Sequence, residues 1–172
     1  MPFSRPPAGA YPLGACTSFE LGGPSRFAAE IVEPDELDEA LAWARSQGVA
    51  TLVVGDGTNL VVGDDGFDGL VLRLRARRVE FGELDDTKVR LRVDAGCVWD
   101  ELVGLCCAYD LAGLECCSGI PGRLGAAVVG NIGAYGQELA GCLDEVELCD
   151  PARGEHFVLP ASGGIAELDL VE

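Results

Sequence analysis

The chain has 172 residues, 48% hydrophobic and 24% charged. That is a globular composition sized for one domain or two small ones sharing a core, and it excludes wholesale disorder. Asp plus Glu number 29 against 12 Lys plus Arg, so the net charge of −17 repels polyphosphate and argues against a nucleic-acid partner. No uncharged stretch is longer than Leu124 to Gln137, which is shorter than the ~20 residues of a membrane span and is broken by glycines, so no membrane partner is expected.

Residues 1–16 read as a flexible tail. They hold Arg5 and several prolines and lack the apolar run of a secretory signal. Leu13-Gly14-Ala15-Cys16 has the form of a lipoprotein cleavage box but lacks the apolar run that should precede it, and a cytoplasmic protein is expected. A helix is predicted from Glu33-Pro34-Asp35-Glu36-Leu37, with proline and acids suited to a first turn. Leu37, Ala40, Leu41 and Ala44 supply its buried face and Gly48 its stop. Ala50 to Val54, Leu60-Val61-Val62 and Leu70 to Leu74 are strand candidates, separated by a glycine turn at Gly55 to Gly57.

From Arg78 the pattern changes. Val89, Leu91, Val93 and Ala95 alternate with Lys88, Arg90, Arg92 and Asp94, the signature of an antiparallel strand with one wet face. Val98, Leu102, Leu105, Cys106 and Tyr109 recur at helical spacing, with Gly113 as the expected terminator. Val146 to Cys149 and His156 to Leu159 flank Asp150-Pro151-Ala152-Arg153-Gly154 and read as a hairpin. The mixed pattern indicates an α+β fold with a boundary near residues 75–80, giving subdomains over 17–76 and 77–160 and a divergent tail over 161–172.

Eight cysteines occur with no C-x-x-C pair and a single histidine, His156, so no metal site is expected from spacing. The vicinal pairs Cys106-Cys107 and Cys116-Cys117 lie among small apolar residues and read as buried packing side chains in a reducing compartment. His156 has no nucleophile pattern beside it, and no carboxylate pair stands out for acid–base work.

The 24 glycines are about twice average usage, and they cluster in three segments. In Gly55-Asp56-Gly57-Thr58-Asn59-Leu60, a strand runs into glycines, a hydroxyl and an amide, groups able to hydrogen-bond an anion. It lacks the third glycine of a Rossmann fingerprint and the Gly-Lys-Ser/Thr of a P-loop, and an ordinary strand corner is the alternative. Ser118-Gly119-Ile120-Pro121-Gly122-Arg123-Leu124-Gly125-Ala126 and Asn131-Ile132-Gly133-Ala134-Tyr135-Gly136 are nearly uncharged and should be poor as helix or strand. They could wrap backbone around a flat ligand, with Asn131 and Tyr135 as polar handles, or be a tightly packed core crossing.

These segments, together with Thr17-Ser18-Phe19-Glu20-Leu21-Gly22-Gly23-Pro24, Asp65-Gly66-Phe67-Asp68-Gly69, Ala112-Gly113-Leu114-Glu115 and Gln137-Glu138, resemble the UDP-N-acetylenolpyruvoylglucosamine reductase (UDP-N-acetylmuramate dehydrogenase) family from about Thr17 to Leu159. The resemblance implies an FAD-binding fold of the vanillyl-alcohol-oxidase type, with two α+β subdomains clasping FAD. Gly55, Asp56, Gly57, Thr58, Asn59 and Leu60 would hold its diphosphate. Gly119, Ile120, Pro121, Gly122, Gly125, Ala126, Asn131, Ile132, Gly133, Ala134 and Tyr135 would line the flavin and the rest of the cofactor. In the family, NADPH reduces the flavin, the flavin passes hydride to the enolpyruvyl group of a UDP-sugar, and a serine, an arginine and a glutamate serve protonation. None of these three maps onto this chain, whose residues after the hairpin lack the family's Gly-Tyr-Arg-x-Ser motif. No catalytic residue is assigned, a truncated or frameshifted form without the substrate domain is expected, and turnover by the chain alone is not. Asp56 and Gly130 stand where the family has glycine and glutamine, and a bare Asp56 carboxylate would repel phosphate. The rival readings are another flavoprotein of this fold and a non-catalytic remnant that self-associates or pairs with another chain through an unfinished core.

Overall fold

The computed structural model describes residues 8–85 and 88–161. Strands β1 (Ala8–Tyr11), β2 (Ser25–Ile31), β3 (Ala50–Val53) and β4 (Phe67–Leu74) form one sheet in the order β1-β2-β4-β3, with helix α1 (Pro34–Gln47) connecting β2 to β3. β2 and β3 run parallel to β4, and β1 is antiparallel to β2. β4 is central and covered on both faces, so it reads as a continuous apolar run. Its pleat divides the core. Leu70 and Leu72 pack with Ala29, Ile31, Ala40, Leu41 and Ala44 under α1, while Val71 packs with Leu13, Ala28 and Val54 on the opposite face. The ends of α1 follow the sequence. Glu36 accepts the Val32 and Glu33 N–H groups at 2.8 and 3.1 Å, and Gly48 closes the helix at φ +63°.

Beyond β4 lie the hairpin β5 (Val79–Asp85) and β6 (Lys88–Val93), helix α2 (Trp99–Ala108), and the six-residue helix α3 (Leu124–Val129). The tight hairpin β7 (Gly133–Ala134) and β8 (Gln137–Glu138) and the hairpin β9 (Glu145–Asp150) and β10 (Glu155–Pro160) follow. A second core gathers Trp99, Leu102, Val103 and Cys106 of α2 with Cys117, Ala127 and Leu139. Trp99 is fully buried, and its indole N–H is satisfied by the Cys117 carbonyl at 2.9 Å. Leu91 and Val93 of β6 form the dry side of the alternating strand.

Several local expectations are corrected. In the described part of the tail expected over 1–16, β1 pairs with β2 and Leu13 is 1% exposed. Leu60-Val61-Val62 is not a strand; Val61 is exposed, and β3 leads into loop. α2 is ended by Asp110 rather than Gly113. Asp110 takes φ +55°, and the Leu111 and Asp110 N–H groups reach back to the Cys106 and Cys107 carbonyls. The glycine-rich stretch does make a helix, α3, because Leu124, Ala127 and Val128 pack on the second core. The cysteines are free; of the vicinal pairs, Cys106 and Cys117 are buried as expected, whereas Cys116 is half-buried and Cys107 exposed. The tail predicted over 161–172 lies outside the described residues except for Ala161.

Candidate functional site

After β3 the chain leaves the sheet through Gly55–Leu60. Gly57 sits at φ +65°, and a Cβ there would lie 2.4 Å from the Cys16 carbonyl oxygen, so only glycine lets the loop rest on the turn at 14–18. The Ser18 N–H donates to the Gly57 carbonyl at 3.0 Å and fixes this contact. Among the described residues, the N–H groups of Gly55, Asp56, Gly57, Thr58 and Asn59 donate to no backbone carbonyl. A run of donors left open by the fold is the raw material of an anion site.

The second segment is aligned by backbone pairing. The Trp99 N–H donates to the Gly122 carbonyl, the Leu124 N–H to Cys97 and the Gly125 N–H to Ala95, at 2.9–3.0 Å. Gly122 has φ +124°, and a Cβ on it would meet Thr58 Oγ1 at 3.7 Å. A Cβ on Gly55 would meet Arg123 and Ala126 Cβ atoms at 3.9 Å. The two glycine segments therefore face one another at van der Waals range. Asp100, in the first turn of α2, holds the start of the second: its Oδ1 accepts the Gly119 N–H at 2.7 Å and the Ser118 hydroxyl at 2.9 Å. These bonds, the Gly119 N–H foremost, hold the Asp100 carboxyl below the usual carboxylate range.

Asp56 is not the bare charge expected from the sequence. One carboxylate oxygen accepts from Arg75 Nη1 at 2.9 Å and from Arg123 Nε at 2.7 Å. Arg123 also donates to the Gly96 carbonyl at 2.6 Å, and its side chain is 8% exposed. Two guanidiniums thus share one carboxylate at the base of the loop, so its repulsion of a phosphate is countered in place. The hub also ties the first glycine loop to the second, across 67 positions of chain.

The third segment behaves differently. Both polar ends of the Asn131 side chain are engaged within their own loop: Oδ1 accepts the Ala140 N–H at 3.0 Å, and Nδ2 donates to Glu138 at 3.3 Å. Ile132 packs on the second core, and Gly133–Ala134 pairs with Gln137–Glu138. Tyr135 and Gly136 form the tip at φ +53° and +87°, a type I′ geometry that favours Asn-Gly rather than tyrosine. Tyr135 is nonetheless 94% exposed, with no packing to account for a bulky residue in a left-handed conformation. Of the two predicted handles, Tyr135 is the open one.

The sequence reading missed Arg75, Asp100 and Arg123. No spacing signal could have found them, because Arg75 and Arg123 meet Asp56 from 19 and 67 positions away.

Residues 26–159 match the FAD binding domain family. The chain is 42% identical over 151 residues to the UDP-N-acetylenolpyruvoylglucosamine reductase of Thermobifida fusca (strain YX), covering 88% of the chain and 42% of the relative. It is 45% identical over 158 residues to that of Leifsonia xyli subsp. xyli, covering 90% and 40%. The chain therefore spans about 40% of the length of these curated relatives. Among solved structures, UDP-N-acetylenolpyruvylglucosamine reductase from Thermus caldophilus superposes with a TM-score of 0.67 at 31% identity, covering 88% of this chain and 51% of that one. 6-Hydroxy-D-nicotine oxidase from Arthrobacter nicotinovorans superposes at 0.66 with 17% identity, covering 96% and 38%, a likeness of fold alone. The VAO-type flavoprotein MtVAO615 superposes at 0.61 with 14% identity, again a likeness of fold alone, covering 92% of this chain and 32% of that one. The chain thus has the FAD-binding fold of vanillyl-alcohol-oxidase-type flavoproteins, and it belongs to the FAD-binding domain family as represented in the UDP-N-acetylenolpyruvoylglucosamine reductases.

Proposed function

We propose that the chain holds FAD between the loop Gly55–Leu60 and the facing segments Gly119–Ala126 and Asn131–Tyr135, with subdomains over 17–76 and 77–160 as the two sides. The open donor run Gly55–Asn59, set against the second glycine segment, carries this reading. The donor set suits a diphosphate: backbone N–H groups and the Thr58 and Asn59 side chains would bind its oxygens. Arg75 and Arg123 would offset its charge through the shared Asp56. Tyr135 would present its exposed ring to the flat part of the cofactor. When bound, FAD supplies reversible acceptance and delivery of hydride.

In the longer enzymes that this chain resembles, the reading extends to an NADPH-dependent reduction of the enolpyruvyl group of a UDP-sugar, giving UDP-N-acetylmuramate in peptidoglycan precursor synthesis in the cytoplasm. The identities of 42% and 45% to named reductases support it over other flavin oxidoreductases of the fold. No residue of these 172 is assigned to the protonation step, so the activity proposed for this chain is cofactor binding, not turnover.

The test is the visible spectrum of the purified chain after incubation with FAD and desalting. Near-equimolar retained flavin is expected, reduced by Gly122→Ala, which narrows the gap opposite Thr58. A colourless protein that circular dichroism shows to be folded overturns the reading.

A further inference from the structure

α1 and the β9–β10 hairpin meet where three side chains of metal-ligating type converge from three elements. Cys149 and His156 are directly opposite across the hairpin, so they share one of its faces. Asp38 of α1 approaches that face, with its Oδ1 2.7 Å from His156 Nε2. One donor atom from each of Asp38, Cys149 and His156 lies within 4.8 Å of the other two. His156 is the chain's sole histidine.

A tetrahedral zinc-class ion at ~2.0–2.3 Å from its ligands sets their separations at about 3.3–3.6 Å. The Asp38–His156 pair, at 2.7 Å, must open by somewhat more than half an ångström, and the Cys149 sulfur, within 4.8 Å of both, must close by up to about 1.2 Å. A second tie keeps the hairpin in place: Arg45, two turns further along α1, donates to the Pro151 carbonyl at 3.0 Å. Asp38, Asp150 and Arg45 lie beside the thiol and Glu147 beside the imidazole. Asp150 and Glu147 are themselves paired with Arg153 and Arg92, at 3.8 and 2.6 Å, which leaves Asp38 as the carboxylate that faces both candidate ligands. Imidazole, thiolate and carboxylate together select a borderline divalent ion over magnesium or calcium, which take oxygen ligands.

We propose that Asp38, Cys149 and His156 bind a zinc-class divalent cation, with water completing the coordination, and that the ion clamps the β9–β10 hairpin to α1. Nothing in the flavin reading requires this ion, and the two stand or fall separately.

The experiment is titration of the reduced, purified chain with Co²⁺ as a spectroscopic probe, followed by displacement with Zn²⁺. One equivalent is expected to bind with a thiolate-to-cobalt charge-transfer band and tetrahedral visible bands, and Zn²⁺ is expected to raise the melting temperature. Cys149→Ser and His156→Gln should each weaken binding by at least the ~10–100-fold that loss of a supporting partner costs a metal site. Cys107→Ser and Cys142→Ser, at exposed cysteines elsewhere, should leave the band unchanged. Absence of the band in the unmodified chain overturns the proposal. So does a band that survives both Cys149→Ser and His156→Gln, or one that Cys107→Ser or Cys142→Ser abolishes. Both ligand replacements are at partly or fully exposed positions, and circular dichroism of each confirms that the fold is retained.

Discussion

Replacing Asp56 with asparagine keeps the side chain's shape and removes the charge that two guanidiniums share. The side chains of Arg123, Arg75 and Asp56 are 8%, 15% and 31% exposed. Removing one partner of a fully buried ion pair costs about 3–5 kcal/mol, because the other charge is left uncompensated. Here the carboxylate is nearly one-third exposed. The amide oxygen of asparagine also still accepts one hydrogen bond, and Arg123 keeps the Gly96 carbonyl. These reduce the expected loss to about 1–3 kcal/mol. In a chain of this size ~1 kcal/mol moves the unfolding midpoint by about 2–4 °C, so a drop of about 4–8 °C is expected for a loss near 2 kcal/mol. The assay is thermal unfolding by circular dichroism, with tryptophan fluorescence as a second probe. Trp99 lies in the second core and Trp43 packs against the first, and both should report the shift, because the hub joins the loop after β3 to the entrance of α3. The same substitution leaves two cations beside the open donor run, so FAD should bind several-fold more tightly to the less stable protein. A midpoint within about 1 °C of the unmodified chain refutes the hub. Weaker flavin binding with an unchanged fold refutes the placement of the loop toward the diphosphate.

Gly57→Ala should cost about 1–3 kcal/mol in thermal unfolding and abolish flavin retention, since its Cβ would collide with the Cys16 carbonyl at a left-handed backbone position. Leu70→Ala, in the strand covered on both faces, should cost about 2–5 kcal/mol by urea denaturation, with the m-value unchanged. Tyr135→Asn should leave stability unchanged or raise it by about 0.5–1 kcal/mol, because asparagine accepts the left-handed turn more readily, while it lowers retained flavin; equal retention removes the ring from the site. The folded-state value of Asp100 lies below its ordinary 3.8, so its contribution is present above that value and is lost as pH falls through the depressed folded value. The stability gap between the unmodified chain and Asp100→Asn, followed by denaturant titration, should therefore be full at pH 6 and shrink as pH drops below about 4. A gap independent of pH contradicts the role given to the Gly119 and Ser118 bonds.

Much of the secondary structure was legible in the sequence because it depends on neighbours along the chain. The spacing of Leu37, Ala40, Leu41 and Ala44 and the stop at Gly48 defined α1. The apolar run at Leu70 to Leu74 announced a strand, and the Asp150–Gly154 loop announced the last hairpin. The three glycine clusters marked the two facing loops and the Tyr135 turn, because tight backbone approach leaves a local compositional trace. Packing overrode local reading elsewhere: Asp110 ends α2 where Gly113 was expected, Leu124–Val129 becomes a helix because an apolar core receives it, and Val61 has no strand partner.

What the sequence by itself determined was the mixed α+β class and the glycine-rich segments of the proposed cofactor site, since periodicity and glycine placement are properties of consecutive residues. Only the tertiary structure decided what the charged and thiol side chains meet. Asp56 changes from a repulsive carboxylate to the shared partner of Arg75 and Arg123, and Asp38 meets His156 and Cys149, because these contacts are made across 19 to 118 positions by the packing of sheet, helix and hairpin. Electrostatic partnership falls off over a few ångströms in space and has no period along the chain, so it can be read only after the chain is folded.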